Sequence, residues 1–355
     1  MAINQRMLKG PGPLLNPSGS LADAGWARQP VLDCNLENAG FYALRFLQPV
    51  RIKRWDYYGL TTATHFYAFT LSDLGYIQMV FAYVVDFKNR SHHEETLTLP
   101  PWGGVRLPRG SQQGESRFDN GRVKLVFRCE AGIRNLEVDW PGFGGQGLQA
   151  RVCLALPAEH ESMAIVIPIG EPQVAAAGMS KRFYYNRKVN CMPAEGWVEY
   201  QGQKVVLEPT TCLGNLDWGR GVWEYQSFWV WSTASGFLAD GRTVGINLGF
   251  GFGDTSATNE NAIILNGRIH KLGLVETIYD RLHLSEAWSM RSPDARLTLH
   301  FMPFYDRVAQ TDLKILSSQV HQLFGYYNGT FQTDDGETIE IKNLIGASEE
   351  HHARW

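Results

Sequence analysis

The sequence lacks the features that define several large classes of protein. Its five cysteines are scattered and never form a Cys-x-x-Cys pair, which argues against a zinc site and a disulfide framework and favours a reducing compartment. No apolar run approaches the roughly 20 residues of a membrane span. Residues 1–20 contain no apolar core of a signal peptide. We therefore expect a cytoplasmic protein without stable membrane insertion.

An excess of one charge and the common cofactor motifs are also missing. The net charge of -3 gives no electrostatic reason to expect nucleic acid or an anionic membrane as a partner. Residues 142–147 match G-x-G-x-x-G, but a β-like segment follows them instead of the helix that a dinucleotide site requires. The sequence predicts no metal and no organic cofactor, and it carries no signal for an oligomeric state. A small molecule is the expected partner.

Glycine and aromatic residues are abundant instead. The chain has 36 glycines and a 12% aromatic share, and short strand-like segments such as residues 76–85, 123–129 and 163–169 are separated by turn signals. Residues 262–265 and 268–272 predict a hairpin around Asn266-Gly267, because this dipeptide accepts the positive φ angles of a type I′ turn. The best helix candidate is at residues 313–323. This pattern of short strands separated by turns predicts an all-β protein with antiparallel barrels or sandwiches.

The length of 355 residues favours two domains. Residues 1–30 contain several prolines and glycines and are predicted to form an irregular arm. Residues 31–180 and 181–355 then form two β domains, with the Pro-, Ala- and Gly-rich stretch at 168–180 as their connection.

Residues 183–273 hold the densest mixture of aromatic, glycine and ionisable residues. Acidic groups among indole rings are typical of a concave site, where rings cover an apolar ligand and a few polar groups orient it. A carboxylate beside indole also tends towards a raised pKa, since desolvation disfavours its charged form. The alternative interpretation is a tight Asp-Trp-Gly turn with tryptophans that fill the core.

Several segments resemble known families. Residues 183–186, 196–202 and 214–219 resemble the AttH and carotenoid 1,2-hydratase group. More closely, most of the chain resembles an uncharacterised bacterial family, domain of unknown function 2804. The matching pieces include residues 217–223, 247–253, 259–261, 266–273 and 346–355.

This resemblance implies two lipocalin-like barrels or half-barrels of the calycin type. It implies hydration of isoprenoid double bonds, other hydratase or cyclase chemistry, or simple lipid binding. In the hydratases an aspartate on the strand after the acidic-Trp-Gly turn protonates the alkene, and Asn247 stands on that strand here. An amide cannot serve as the acid, so this role would pass to Asp217, Asp254 or Glu260.

Proton transfer to carbon needs a carboxylic acid that an apolar wall keeps protonated near neutral pH. Asp217, Asp254 and Glu260 are the candidates for this catalytic role, and any two could act as a pair. For Asp217 and Asp254 the alternative is capping of a turn.

Other residues of this region are candidates for ligand binding. Arg220 could hold an anionic group as a bidentate fork or form a salt bridge to Asp217 or Glu224. His270 could shuttle protons or be hydrogen-bonded only. The remaining candidates supply aromatic walls or amides: Trp218, Trp223, Tyr225, Trp229, Asn247, Asn259 and Asn261.

Two His/Glu quartets, at residues 92–95 and 349–352, resemble metal ligands. Adjacent residues of a strand point to opposite faces, so neither quartet closes on one metal. Glu350 and His352 are kept as candidates at a barrel mouth.

Three functions follow from these observations. The first is binding, with cofactor-free acid-catalysed hydration or isomerisation, of a small hydrophobic molecule such as an isoprenoid or lipid. The second is a carbohydrate-active enzyme, a glycoside hydrolase or lyase, that uses paired carboxylates among aromatic rings. The third is a non-catalytic lipid-binding protein.

Overall fold

The computed structural model describes residues 5–170, 180–312, 314 and 316–354, and these form an all-β fold, as the sequence predicts. Two large antiparallel sheets and one short parallel pair contain the strands. Within the described ranges the only helical segments are three short 3-10 helices, at Leu36–Asn38, Arg45–Arg51 and Phe143–Gly145.

The first sheet is built from the N-terminal two thirds of the chain. Its strands and the parallel pair β1–β3 are, in chain order, β1 (Gly12–Pro13), β2 (Gly25–Ala27), β3 (Leu32–Asp33), β4 (Ile52–Thr61), β5 (His65–Asp73), β6 (Gln78–Asp86), β7 (Ser91–Leu99), β8 (Gly114–Asp119), β9 (Lys124–Glu130), β10 (Ile133–Trp140), β11 (Leu148–Ala155), β12 (Met163–Ile169), β13 (Arg182–Tyr200), β14 (Gln203–Leu207) and β15 (Leu213–Val222). The main path runs β7-β6-β5-β4-β15-β13-β11-β10-β9-β8, and β12, β14 and β2 branch from it.

The second sheet contains the rest of the chain. Its strands are β16 (Gln226–Phe237), β17 (Thr243–Phe250), β18 (Ala262–Leu265), β19 (Arg268–Lys271), β20 (Glu276–Ile278), β21 (Trp288–Arg291), β22 (Leu297–Asp312), β23 (Ser317–Gln332) and β24 (Thr338–Arg354), in the order β19-β18-β17-β16-β24-β23-β22-β21-β20. Sheet membership changes at residues 223–225, later than the domain boundary predicted at residue 180. Most of the predicted connection, residues 171–179, lies outside the described residues.

Local sequence signals locate most strands. In the β18–β19 hairpin, Asn266 and Gly267 have φ angles of 48° and 81°, as a type I′ turn requires. A strand, β11, follows residues 142–147, which agrees with the rejection of a dinucleotide motif there. The helix predicted at residues 313–323 is wrong: its residues from Ser317 onward lie in β23, and Leu313 and Ile315 lie outside the described residues. β23 pairs with β22 and β24 along its length, and this pairing overrides the helical spacing.

Each large sheet curls around its own hydrophobic core, which gives two half-barrels. The first core includes Leu60, Leu125 and Val152, and the second includes Ile246, Leu299 and Phe331. Two further clusters join residues of both sheets. One contains Ile165, Trp223 and Ile264, and the other contains Phe66, Tyr83 and Phe324. The outer faces of the two half-barrels therefore pack against each other.

A β-bulge in β13 fixes this contact between the sheets. The register of β13 against β15 shifts between Val189 and Met192, and Cys191 has a φ angle of 61°. Asn190 within the bulge donates from Nδ2 to the carbonyl oxygen of Ala234, at 3.0 Å, in the second sheet. The strand segment just before the bulge is thereby held against β16 and β17.

Candidate functional site

A cavity of about 440 Å³ lies between the two sheets. Strands β4–β7, β13 and β15 line it from the first sheet, and β16 and β22–β24 line it from the second. Ten aromatic side chains contribute to its wall: Trp55, Tyr57, Tyr76, Phe81, Tyr83, Tyr184, Trp223, Trp229, Trp231 and Phe252. Its volume falls in the range of small-molecule sites, roughly 300 to 1,000 Å³.

The alternation of the strands places the rings on this wall. Trp55 and Tyr57 of β4 share one face, and Trp229 and Trp231 of β16 share another. Gly219 lies opposite Trp55 in the β4–β15 register. A Cβ atom on Gly219 would come within 2.1 Å of the Trp55 ring, so glycine is needed for the ring to lie flat across β15.

Lys188 and Asp217 form the polar centre of the cavity. They are direct neighbours in the β13–β15 register, and Lys188 Nζ lies 2.7 Å from Asp217 Oδ2. Asn186 Nδ2 and Trp55 Nε1 donate to Asp217 Oδ1 at 2.6 and 3.2 Å. The Lys188 ammonium also lies 4.2 Å from the centre of the Trp231 ring. Asp217 is thus held in one orientation by three donors.

Glu260 reaches the same ammonium from the second sheet. Its Oε2 lies 3.5 Å from Lys188 Nζ, and the residue is only 3% exposed. Asn247 Nδ2 donates to the backbone carbonyl oxygen of Glu260 at 2.7 Å and lies 3.3 Å from the side-chain Oε2 of the same residue. Gly249 leaves the space for the carboxyl group, because a Cβ atom there would come within 2.0 Å of Glu260 Oε1.

The electrostatics of Glu260 and Lys188 differ. Burial raises the pKa of Glu260, and the nearby charge of Asp217 adds to this, while Lys188 and the Asn247 hydrogen bond oppose it. Burial alone would lower the pKa of Lys188, but the attraction of Asp217 and Glu260 outweighs it and raises the pKa. The pair therefore combines an ammonium whose pKa is raised by its carboxylate neighbours with a carboxyl group whose pKa is raised by burial.

A second polar network crosses the middle of the cavity. The hydroxyls of Tyr57 and Tyr83 are 2.8 Å apart, and Tyr83 donates to Gln322 Oε1 at 2.7 Å. Arg307 Cζ lies 3.8 Å from the centre of the Tyr83 ring. Its Nη2 and Nε atoms both donate to Glu94 Oε2, at 2.5 and 3.0 Å. Burial raises the pKa of both tyrosines, so both phenols stay protonated.

On β24, the residues that face the cavity are not the pair that was chosen from the sequence. Glu349 and His351 line the cavity, whereas the predicted Glu350 and His352 point to the other face. Glu350 there accepts from Tyr279 and pairs with Arg281 and His352. A one-residue step along a strand reverses the face, so the other two members of the quartet at residues 349–352 line the cavity.

Two further predicted site residues point away from the cavity. Trp218 packs in the core of the first half-barrel, and Arg220 lies over its ring at 4.2 Å. Arg220 forms an ion pair with Asp56 at 2.9 Å, instead of the predicted partners Asp217 or Glu224. Trp218 and Arg220 lie on the opposite face of β15 from Asp217. Because both faces of β15 are buried, no alternation of apolar and polar residues marks the two faces in the sequence.

Asp254, Tyr225 and His270 also lie outside the cavity lining. Asp254 Oδ1 accepts from the Ser256 amide at 2.9 Å, which is the turn-capping alternative. Tyr225 is 44% exposed. Burial lowers the pKa of His270, whose Nδ1 accepts from the Asp334 amide at 3.1 Å.

The remaining predicted residues position Glu260 or line the cavity. Trp223 and Trp229 are part of its wall. Asn259 Oδ1 accepts from the Asn261 amide at 2.8 Å, and Asn261 Oδ1 accepts from the Gly249 amide at 2.8 Å. These two bonds hold the segment that carries Glu260 against β17.

Lys188, Tyr57 and Arg307 were missed from the sequence. Lys188 lies in a strand of mixed residues without a motif, and Arg307 lies in a long strand with exposed neighbours. The available signal was residues 55–59, Trp-Asp-Tyr-Tyr-Gly, which resemble residues 217–223 in composition, since β4 and β15 prove to be neighbours.

Membrane-spanning helices and clusters of metal ligands are both missing from the residues that the structure describes. In the residues that the structure describes, no helix has the length and apolar character to cross a membrane. Across the same residues, no three His, Cys, Asp or Glu side chains cluster in a way that could hold a metal ion.

Two solved structures resemble this chain over nearly its whole length. Kievitone hydratase from Nectria haematococca is 10% identical, with 97% of this chain and 98% of that chain covered and a TM-score of 0.48. CghA is 12% identical, with 95% and 97% covered and a TM-score of 0.47. At TM-scores below 0.5 neither similarity supports a conclusion about the reaction. A comparison with curated protein sequences gives no match. A family profile matches residues 5–355, in agreement with the resemblance seen in the sequence, and the chain therefore belongs to the family described as Domain of unknown function (DUF2804).

Proposed function

We propose that this protein binds a small, largely apolar molecule between its two sheets and protonates it, in a cofactor-free hydration or isomerisation. One observation carries the proposal: Glu260, a buried carboxyl group with a raised pKa, lies beside Lys188 in a cavity with aromatic walls. A carboxylic acid of this kind is what proton transfer to carbon requires.

The surrounding residues suit the charge that develops in such a reaction. Protonation of a double bond forms a C–H bond from the π electrons and leaves a carbocation on the neighbouring carbon. The rings of Trp229, Trp231 and Tyr57 line the cavity, and aromatic rings are the neutral groups that best stabilise a nearby cation. Once Glu260 has given up its proton, Lys188 at 3.5 Å stabilises the carboxylate that remains.

Two outcomes complete the reaction. In a hydration, water adds its oxygen to the cationic carbon and loses a proton. In an isomerisation, a neighbouring C–H bond breaks and its proton goes to a carboxylate. Glu260 regains its proton in either case, so neither route needs an oxidant or a reductant.

The carbohydrate-active alternative receives less support from the geometry. Glycoside cleavage uses two carboxyl groups that flank the scissile bond. Asp217 and Glu260 instead contact the same ammonium of Lys188, at 2.7 and 3.5 Å. The Lys188 ammonium therefore bridges the two carboxyl groups, whereas the glycosidase arrangement places the scissile bond between them.

The test uses a panel of acyclic and cyclic isoprenoid alkenes in D2O, with deuterium incorporation and addition of water measured by mass spectrometry. Glu260→Gln should lower turnover by at least about 100-fold, while binding, followed by quenching of tryptophan fluorescence, is kept. Asp254→Asn is the matched control, because Asp254 lies outside the cavity and asparagine can cap the same turn.

Two results would contradict the proposal. Unchanged turnover in Glu260→Gln would show that another group donates the proton. Binding of the alkenes without turnover in the wild type would favour the non-catalytic lipid-binding alternative.

A further inference from the structure

A second group of reactive side chains lines the same cavity. Ser318 Oγ lies 2.8 Å from His351 Nε2, and His351 Nδ1 lies 3.5 Å from Glu349 Oε1. All three residues line the cavity. We propose that Ser318, His351 and Glu349 form a nucleophilic Ser–His–Glu site that cleaves esters of apolar acyl groups.

The sheet register brings these three side chains together. Glu349 and His351 are two residues apart on β24 and therefore share a face. In the neighbouring β23, Val320 pairs with His351 and Ser318 pairs with Ala353, which places Ser318 diagonally beside His351 on that face. Both strands are paired on both sides, so the site stands on a rigid support.

Each contact has the polarity that a serine nucleophile needs. A carboxylate at Nδ1 keeps the proton on that nitrogen, which leaves Nε2 free to accept the proton of Ser318. Glu349 is suited to remain ionised: burial opposes its charge, but His351, Arg307 and a hydrogen bond from Trp229 lower its pKa overall. The Trp229 Nε1 donates to Glu349 Oε1 at 3.1 Å.

The Trp229 ring also contacts the histidine. Its centre lies 4.0 Å from that of the His351 imidazole. The two rings are tilted by 46°, and an aromatic ring this close can stabilise the imidazolium that forms when the serine is deprotonated.

The proposed reaction is balanced without a cofactor. Ser318 Oγ attacks the acyl carbon of an ester, and His351 Nε2 takes the hydroxyl proton. The bond between the acyl carbon and the leaving oxygen breaks, and His351 gives the proton to the departing alcohol. Water then attacks the acyl-serine, with His351 as base, and releases the carboxylic acid.

The apolar neighbours of Ser318 in the lining, among them Val320, Ala353 and Leu316, indicate the substrate class. They suit an aliphatic or aromatic acyl group and offer nothing to a charged one. Glu260 is not a member of the Ser318–His351–Glu349 group, so the two proposals can fail separately: alkene turnover tests the first, and labelling of Ser318 tests the second.

The experiment treats the full-length protein with an alkyl fluorophosphonate and locates the adduct by peptide mass spectrometry. We expect an adduct on Ser318, no adduct in Ser318→Ala, and a rate at least about 100-fold lower in His351→Ala. Added imidazole should restore part of the rate in His351→Ala. A purely structural histidine would show no such rescue.

The chain offers a matched control pair. Ser289 Oγ lies 3.2 Å from His300 Nδ1 across β21 and β22, outside the cavity lining. Ser289 should stay unmodified, and Ser289→Ala should be labelled at the wild-type rate. The proposal is overturned if the wild type gains no adduct on Ser318 while circular dichroism shows a folded protein. It is also overturned if His351→Ala is labelled at the wild-type rate.

Discussion

Replacement of Lys188 by methionine tests the polar centre directly. The lysine side chain is 5% exposed, and it contacts the carboxylates of Asp217, 14% exposed, and Glu260, 3% exposed. Methionine keeps the approximate length of the side chain and removes the charge. Two buried carboxyl groups would then share the site without a cation.

The size of the effect follows from these contacts. Removal of one partner from a buried ion pair typically costs about 3 to 5 kcal/mol. Asp217 keeps its hydrogen bonds from Asn186 and Trp55, and Glu260 can take up a proton, since loss of Lys188 raises its pKa further. We therefore expect the lower end, about 3 kcal/mol at pH 7.

Urea unfolding curves at pH 7 and pH 4.5 provide the measurement. The destabilisation should be smaller at pH 4.5, because protonation of the carboxyl groups removes their need for a cation. Lys204→Met is the control: Lys204 is exposed over Trp197, and its loss should change the free energy of unfolding by no more than about 0.5 kcal/mol. A loss below about 1 kcal/mol for Lys188→Met, or an equal loss at both pH values, would refute the assigned buried ion pair.

Three more predictions concern the same cavity. Because the folded-state pKa of Glu260 is raised, its stabilising contribution is present below its ordinary pKa of 4.5 and is lost as the pH rises through the raised value. The melting temperature of Glu260→Gln minus that of the wild type should therefore increase from pH 4.5 to pH 8 in scanning calorimetry. A difference that does not change with pH would contradict the raised pKa. Gly249→Ala should displace the Glu260 carboxyl and cost about 1 to 3 kcal/mol in urea unfolding, while Gly142→Ala, with no atom near its added Cβ, should change little. Glu349→Gln should slow fluorophosphonate labelling of Ser318 by about 100-fold or more, and Glu350→Gln, on the other face of β24, should leave the rate unchanged.

Much of the fold could be predicted from local chemistry. Alternating and β-branched runs predicted most strands to within a few residues, and Asn266-Gly267 predicted its hairpin, because its two residues tolerate the positive φ angles of the turn. The family was also visible in short motifs. The helix assignment at residues 313–323 failed because a strand with neighbours on both sides is stabilised by pairing that no local pattern contains.

The candidate site was only partly accessible to the same reasoning. Asp217 and Glu260 were identified because acidic residues in an aromatic- and glycine-rich segment are unusual. Trp218 was included wrongly in the wall, since both faces of β15 are buried and no alternation separates them. Glu350 was chosen instead of Glu349 for a related reason. Which alternate residues of β24 face the cavity depends on how the two sheets pack, and the sequence does not show this.

Local sequence patterns were enough to predict an all-β chain, the positions of most strands and turns, and the segment rich in acidic and aromatic residues. These properties depend on neighbouring residues and on the conformations that each residue type allows. The position of Lys188 between Asp217 and Glu260, and that of Ser318 beside His351, became visible only in the folded structure. Those contacts join strands that are distant in the chain, and their geometry depends on sheet order, on the bulge in β13 and on the packing of the two half-barrels.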